Sequence, residues 1–384
     1  MVNLRIPGPT PIPDEVLQAS SQQMMNHRGP EFKEILIRTT KQLQDLFITK
    51  NDLLILTASG TGAMEAAVVN TLSPNDKVLV ISIGVFGERL TKIAQAYGAD
   101  VHLLSTEYGK AVDPEDVRKI LKNDQEIKTV LVTHNETSTG VTNDLESIAK
   151  IVKGEFNKLL IVDAVSSIGS IPCPVDDWNL DVVASGSQKG WMAPPGLAFV
   201  SMSKTAWEAS EQGTIPRFYF DLKTAKTYLE KGQNPWTPAV SVFYALDTAL
   251  SMMLEEGLPN IFERHSKIAQ RVRDGVKDLG LTLFADETVA SNTVTSVKAP
   301  EGIDISKLLS ILRIEHGVVL AGGQGSMQGS LFRFGHLGFC SEEDIDQCLD
   351  ALKLALEQTK NKALKKFITE ATETINNGQK LSTV

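Results

Sequence analysis

Between residues 53 and 202, short apolar runs alternate with stretches of helical spacing, and this alternation restricts the fold more than any other feature. The runs are Leu53–Leu56, Lys77–Ser82, Ala99–Leu104, Thr129–Thr133, Leu159–Val162, Leu180–Ala184 and Leu197–Met202. Gly62–Thr71, Glu88–Tyr97, Pro114–Lys122 and Leu145–Lys153 fit as helices between them. Strands that are apolar throughout are buried on both faces, and intervening helices supply the two covers. The expectation is an α/β domain with a mostly parallel sheet.

The 384 residues suffice for that domain and a smaller one. Residues 1–15, with Pro7, Pro9, Pro11 and Pro13, read as an extended segment, 16–260 as the large domain and 261–384 as a smaller α/β domain. Val240–Leu258 and Ile261–Leu279 read as long helices, the first linking the two domains. Beyond them, strands at Leu281–Phe284, Thr293–Lys298, Val318–Ala321 and Leu331–Phe334 alternate with helices at Ile305–His316 and Ser341–Gln358. Ala363–Ile375 reads as an extension of the last helix, and Asn376–Val384 as a frayed end.

Composition excludes several classes. Hydrophobic content of 42% and charged content of 22% are ordinary for a globular protein in water. A formal charge of −9 opposes non-specific nucleic-acid binding. Cys173, Cys340 and Cys348 form no CxxC pair, and an odd count implies reduced thiols. The start, Met1-Val2-Asn3-Leu4-Arg5, lacks a signal-peptide core, and no apolar run approaches the roughly 18 residues of a membrane helix. The expected location is the cytoplasm, with no membrane partner. The histidines show no metal-binding spacing and no HExxH occurs, so no metal site is expected.

The chemistry is carried by an acid and a lysine on consecutive strand ends. Asp163 follows Leu159–Val162, and Lys189 lies in Ser185-Gly186-Ser187-Gln188-Lys189-Gly190-Trp191, past the next strand. Pyridoxal phosphate (PLP) needs such a pair: a lysine amine for its aldehyde and an acid for its ring nitrogen. Each residue alone also reads as a turn acid or a surface lysine.

Thr57-Ala58-Ser59-Gly60-Thr61-Gly62 opens a helix after a strand, where free N–H groups attract a phosphate. It is neither a Walker A loop nor a clean dinucleotide fingerprint, since Glu65 stands where a small residue is needed. Phe86, in Gly84-Val85-Phe86-Gly87, suits either stacking on a cofactor ring or capping the core. The polar run His134 to Gly140 follows a strand end, as either a ligand-facing cluster or a turn. Arg333, inside the apolar strand Leu331-Phe332-Arg333-Phe334, needs an anionic partner: a bound carboxylate or a protein acid.

In this order the motifs resemble those of the class V aminotransferases of fold type I PLP enzymes, most of all the serine/alanine–glyoxylate group. The match runs from Pro7-Gly8-Pro9-Thr10-Pro11 to about residue 358. It includes Ser59-Gly60-Thr61-Gly62, His134-x-Glu136-x-Ser138-Thr139-Gly140, Asp163-Ala164-Val165-Ser166-Ser167, Gln188-Lys189, Ala193-Pro194-Pro195-Gly196 and Arg333-x-Gly335-x-Leu337-Gly338. The resemblance implies that Lys189 holds the cofactor aldehyde, Asp163 pairs with the ring nitrogen, Ser138 bonds near the phenolic oxygen and Phe86 stacks on the ring. It assigns Ser59, Gly60, Thr61 and Gln188 to the phosphate, with Asn234 and Thr237 completing the cup of a neighbouring subunit in a homodimer. Some relatives carry tyrosine at the position of Asn234. Arg333 would grip the substrate α-carboxylate, with Gly8 at the pocket mouth. The implied reaction is ping-pong transamination from serine or alanine to glyoxylate or pyruvate. The competing readings are a cysteine desulfurase-like or other PLP lyase, an NAD-dependent oxidoreductase, and a hydrogenase-associated subunit that keeps the fold.

Overall fold

The structure, a computed structural model, describes residues 2–359. The expected extension at Ala363–Ile375 and the end Asn376–Val384 lie outside the described residues.

Seven strands form the central sheet, in spatial order Asp52–Ala58, Gly196–Met202, Val182–Gly186, Leu159–Asp163, Thr129–Thr133, Lys77–Ser82 and Asp100–Ser105. Gly196–Met202 runs antiparallel to both neighbours, and every other pairing is parallel. The strands lack polar alternation because both faces are buried. Leu79, Ile81, Val130 and Val132 enter one apolar cluster, with Phe32 and Phe243 of helices Pro30–Phe47 and Val240–Glu256. Val78, Val80 and Leu131 enter the other, beneath helix Gly60–Thr71. This is the α/β, mostly parallel, seven-stranded arrangement expected.

A second sheet of four strands has the order Asn3–Arg5, Val318–Gly322, Leu331–Gly335, Val294–Lys298. Its apolar cluster includes Val272, Leu308, Phe332, Phe334 and Leu352, drawn in part from helix Leu258–Asp278 and helical residues 342–359.

Several elements differ from expectation. Asn3–Arg5 is not merely extended: it pairs in parallel with Val318–Leu320, and buried Arg5 forms an ion pair with Asp344 at 2.9 Å. The expected strand Leu281–Phe284 is reduced to a single bridge, Leu283 to Val297. Helix Val85–Ala96 starts three residues before the expected Glu88, because Gly84 and Gly87 do not interrupt it. Helix Leu145–Ala149 continues as a π-helical turn, Lys150–Glu155. Helices Pro30–Phe47, Lys204–Gln212 and Leu222–Leu229 had no counterpart in the sequence reading.

Candidate active site

In parallel α/β sheets, ligands bind beyond the carboxyl ends of the strands. Here those ends present Ser59 after Asp52–Ala58, Phe86 after Lys77–Ser82, His134 to Gly140 after Thr129–Thr133, and Asp163 itself. A cavity of about 260 Å3 opens among them, lined by residues that include Gly8, Ser59, Gly60, Thr61, Phe86, Arg89, Asp163, Gln188 and Lys189.

Lys189 sits in the loop joining Val182–Gly186 to its antiparallel neighbour, a connection that can be short because the strands run in opposite directions. The loop is tied to itself: Ser187 Oγ donates to Pro194 O at 2.6 Å, and Ser187 N–H to Leu197 O at 2.9 Å. Fully buried Trp191 anchors its far side, stacked on Phe47 at 5.3 Å and edge-on to Phe199 at 5.6 Å. Thr10 bonds the loop from the N-terminal segment, its N–H to Gln188 O and its hydroxyl to Lys189 O, both at 3.1 Å. The Lys189 amine donates to Pro7 O at 2.6 Å. Burial pushes that amine down to about 8, and Arg333 and Arg89 lower it further while Asp163 opposes them.

Asp163 is buried, and one carboxylate oxygen accepts from Val165 N–H at 3.0 Å. Burial raises its pKa to about 6, with the Val165 bond and the charges of Lys189 and Arg89 pulling the other way. The acid and the lysine therefore face one cavity, each with its charged form costly until a partner arrives.

The polar loop after Thr129–Thr133 is a small hairpin, Asn135–Glu136 against Val141–Thr142, closed at Gly140 with φ +75°. Glu136 is fully buried. It accepts from Phe86 N–H at 2.9 Å, Gly87 N–H at 3.1 Å, Ser138 N–H at 3.0 Å and the Ser138 hydroxyl at 2.6 Å. Burial raises its pKa. All four partners donate, so the ionised form is the one whose hydrogen bonds are satisfied, and it sits at a helix N-terminus. Ser138 Oγ also accepts Val85 N–H at 3.0 Å. A Cβ on Gly84 would meet Glu136 Cγ and Ser138 Oγ at 2.5 Å, which accounts for glycine there. This clamp fixes Phe86, whose ring lies 5.9 Å from the Lys189 amine. Ser138 thus bonds the main chain just before Phe86 and is not among the cavity lining.

Arg333 is buried in the second sheet and donates to Gly322 O at 2.9 and 2.7 Å and to Thr137 O at 2.9 Å. It has no carboxylate partner among the described residues, and burial lowers its pKa to about 10. Asn234 is buried against its own chain, donating to Ile55 O at 3.2 Å, while Thr237 is exposed; neither lines this cavity. Arg89 was not singled out in the sequence. Phe86-x-x-Arg89 is one helical turn, and the spacing shows it only once the helix is known to begin at Val85.

The set fits pyridoxal phosphate. The N–H groups opening helix Gly60–Thr71 have no acceptor inside the helix. Gln188 lines the cavity, and its amide NH2 is the end that could donate to a phosphate; its Oε1 is buried with no hydrogen-bond partner among the described residues. No group of residues able to hold a metal ion is found among the described residues.

Fold and site together define a PLP-dependent enzyme of fold type I. Residues 2–346 match the family described as aminotransferase class-V, and the chain belongs to that family of PLP-dependent transaminases. It is 45% identical to a soluble hydrogenase small subunit of Synechococcus sp. over 92% of this chain and 93% of that one. It is 37% identical to a serine–glyoxylate aminotransferase of Methylorubrum extorquens, covering 92% and 90% of the two chains. The crystal structure of an alanine–glyoxylate aminotransferase from Nostoc sp. superposes with a TM-score of 0.89 at 32% identity, covering 92% and 95%. The substrates of the family are amino acids and 2-oxo acids. Among the described residues no helix is long and apolar enough to cross a membrane.

Proposed function

We propose that this enzyme transfers the amino group of serine or alanine to glyoxylate or pyruvate. The observation that carries the reading is the one small cavity that Lys189 and Asp163 line together with Gly8 and Pro9 of the N-terminal segment. Relatives that act on glyoxylate support the choice of acceptor.

Bound PLP supplies an aldehyde for amines and a ring that accepts electrons. Lys189 is the residue that would hold that aldehyde, and its amine, in the same cavity, would be the base for the substrate Cα proton. Asp163, in the same lining, would pair with the ring nitrogen and favour its protonated form. Phe86 supports the ring face, and Ser138 holds Phe86 in place. Ser59, Gly60, Thr61 and Gln188 hold the phosphate. Arg333 fixes the substrate carboxylate and with it the direction of the Cα–H bond.

The active enzyme is a homodimer in this reading. Phe218, 75% exposed, and Tyr219, 45% exposed, gather around Trp236 beside Asn234, an aromatic patch suited to a second copy. Arg28 holds that segment by donating to Asn234 O at 2.6 Å, leaving Thr237 free to reach the neighbour's cup.

A desulfurase needs a mobile thiolate. Cys173, Cys340 and Cys348 are all buried, and burial pushes their thiols up to about 12, 11 and 12. The deciding assay compares serine and alanine with aspartate as donors, and glyoxylate and pyruvate with 2-oxoglutarate as acceptors. Much faster transfer from aspartate to 2-oxoglutarate would overturn the substrate assignment. A strictly monomeric active enzyme would overturn the shared site.

A further inference from the structure

We infer that Arg89 is a cofactor-binding residue that supplies the positive charge for the PLP phosphate. The groups already assigned to the phosphate, Ser59, Gly60, Thr61 and Gln188, are all neutral. A phosphate monoester carries about −1.5 to −2 charges near neutral pH, and leaving it in a partly buried cavity without a cation is costly. Of the cations that line the cavity, Lys189 is committed to the aldehyde. Arg89 is the other.

Its setting points to the phosphate end. Arg89 Nη1 donates to Thr61 Oγ1 at 3.2 Å, and Thr61 is in the first turn of helix Gly60–Thr71. The guanidinium lies 4.6 Å from the centroid of the Phe86 ring, which sets its height in the cavity. Glu136 clamps the backbone of Phe86 and Gly87, so the first turn that carries Arg89 is itself anchored. No ion pair joins Arg89 to a carboxylate among the described residues, although many surface arginines and lysines here have one. A half-buried guanidinium with most of its donors unspent, beside a helix N-terminus, is an anion site built from two independent parts.

The inference depends on the cofactor and not on the proposed substrates, so failure of the serine and alanine assays leaves it standing. The test is titration of the cofactor-free protein with PLP and, separately, with pyridoxal, which lacks the phosphate. A charge-assisted hydrogen bond contributes about 1.5 to 3 kcal/mol, so Arg89→Gln should weaken PLP binding roughly 10- to 100-fold. Pyridoxal affinity should stay unchanged, and Arg89→Lys should recover part of the loss. With the unaltered protein, inorganic phosphate should compete with PLP but not with pyridoxal. That arm holds even if the glutamine variant fails to fold. Equal weakening of PLP and pyridoxal in the variant would overturn the inference. So would unchanged PLP affinity with a raised KM for dicarboxylic donors, which would make Arg89 a substrate residue, or absence of competition by phosphate.

Discussion

The side-chain amine of Lys189 is hydrogen-bonded to the main-chain oxygen of Pro7 at 2.6 Å, so the N-terminal segment holds the proposed catalytic lysine. The same segment pairs through Asn3–Arg5 with the second sheet, which also carries Arg333. The lysine and the proposed carboxylate anchor are therefore linked through this short N-terminal segment as well as through Thr137, whose carbonyl, on the hairpin after Thr129–Thr133, accepts from Arg333.

The lowered pKa of Lys189 sets a pH profile for cofactor capture. Only the neutral amine attacks an aldehyde. Below about 8 the amine is mostly protonated, so capture should speed up as pH rises through that value and then level off. Rates of PLP uptake by the cofactor-free protein, followed by visible absorbance, should fall close to tenfold per pH unit on the acid side. A flat profile would contradict the assignment, and Lys189→Ala should show no uptake band at all.

Gly8 leaves no room for a side chain. A Cβ there would lie 2.8 Å from both Cδ and Nζ of Lys189, and the backbone φ is +139°. Gly8→Ala should cost about 1 to 3 kcal/mol and slow PLP uptake by displacing the amine from Pro7. Thermal unfolding and uptake rates check both effects. A variant with ordinary stability and uptake would show that the segment does not position the lysine.

Glu136 should matter without touching the cavity. In Glu136→Gln, the amide can present only one acceptor oxygen, so either the Phe86 and Gly87 N–H groups or the Ser138 donors lose their partner. One unsatisfied buried donor costs about 1 to 3 kcal/mol. A lower melting temperature is expected, with a shift in the absorbance of bound cofactor as Phe86 loosens. Ser138→Ala removes one donor to Glu136 and the acceptor of Val85 N–H, so it too should lower the melting temperature, with the Phe86 and Gly87 bonds to Glu136 kept.

Asp163 is expected to destabilise the protein before the cofactor binds. Its folded-state pKa is raised from 3.8 to about 6, so the folded state binds more protons between those values. Stability from this group is full below pH 3.8 and is lost as pH rises through about 6. Asp163→Asn should therefore stabilise the cofactor-free protein at pH 7, by up to about 3 kcal/mol, while PLP affinity and activity fall. Denaturant unfolding at pH 7 and pH 4 should show the gain at the higher pH only. A less stable variant at pH 7 would refute the electrostatic argument.

Arg333→Gln should raise KM for the amino donor at least tenfold and leave PLP affinity within a few-fold of the parent. Lysine should rescue it poorly, because a single ammonium cannot keep the bonds the planar fork makes to Gly322 O and Thr137 O while also holding the proposed carboxylate. Weakened PLP binding in this variant would place Arg333 on the cofactor instead.

The central sheet was legible because each strand is buried on both faces, so Val78–Ile81 and Leu160–Val162 are apolar without alternation. The two strand-end residues Asp163 and Lys189 followed from that reading. The strand expected at Leu281–Phe284 shrinks to one bridge, Leu283 to Val297, flanked by hydrogen bonds from Phe284 N–H to Ser296 O and from Lys298 N–H to Thr282 O. The helix start at Val85 was hidden because two glycines argue against a helix locally. Buried Glu136 and Ser138 supply the missing N-terminal hydrogen bonds from a hairpin far along the chain.

The sequence alone determined the layered α/β fold and the cofactor class, and it singled out the acid and lysine that line one cavity, since each depends on local periodicity or on motifs written in order. Tertiary structure alone decided what surrounds them. Pro7 reaches Lys189 across 182 positions, Arg89 turns toward Thr61, and Ser138 bonds the main chain just before Phe86. These are contacts between distant segments, fixed by how strand ends converge and by where buried charges find donors, and no local pattern encodes them.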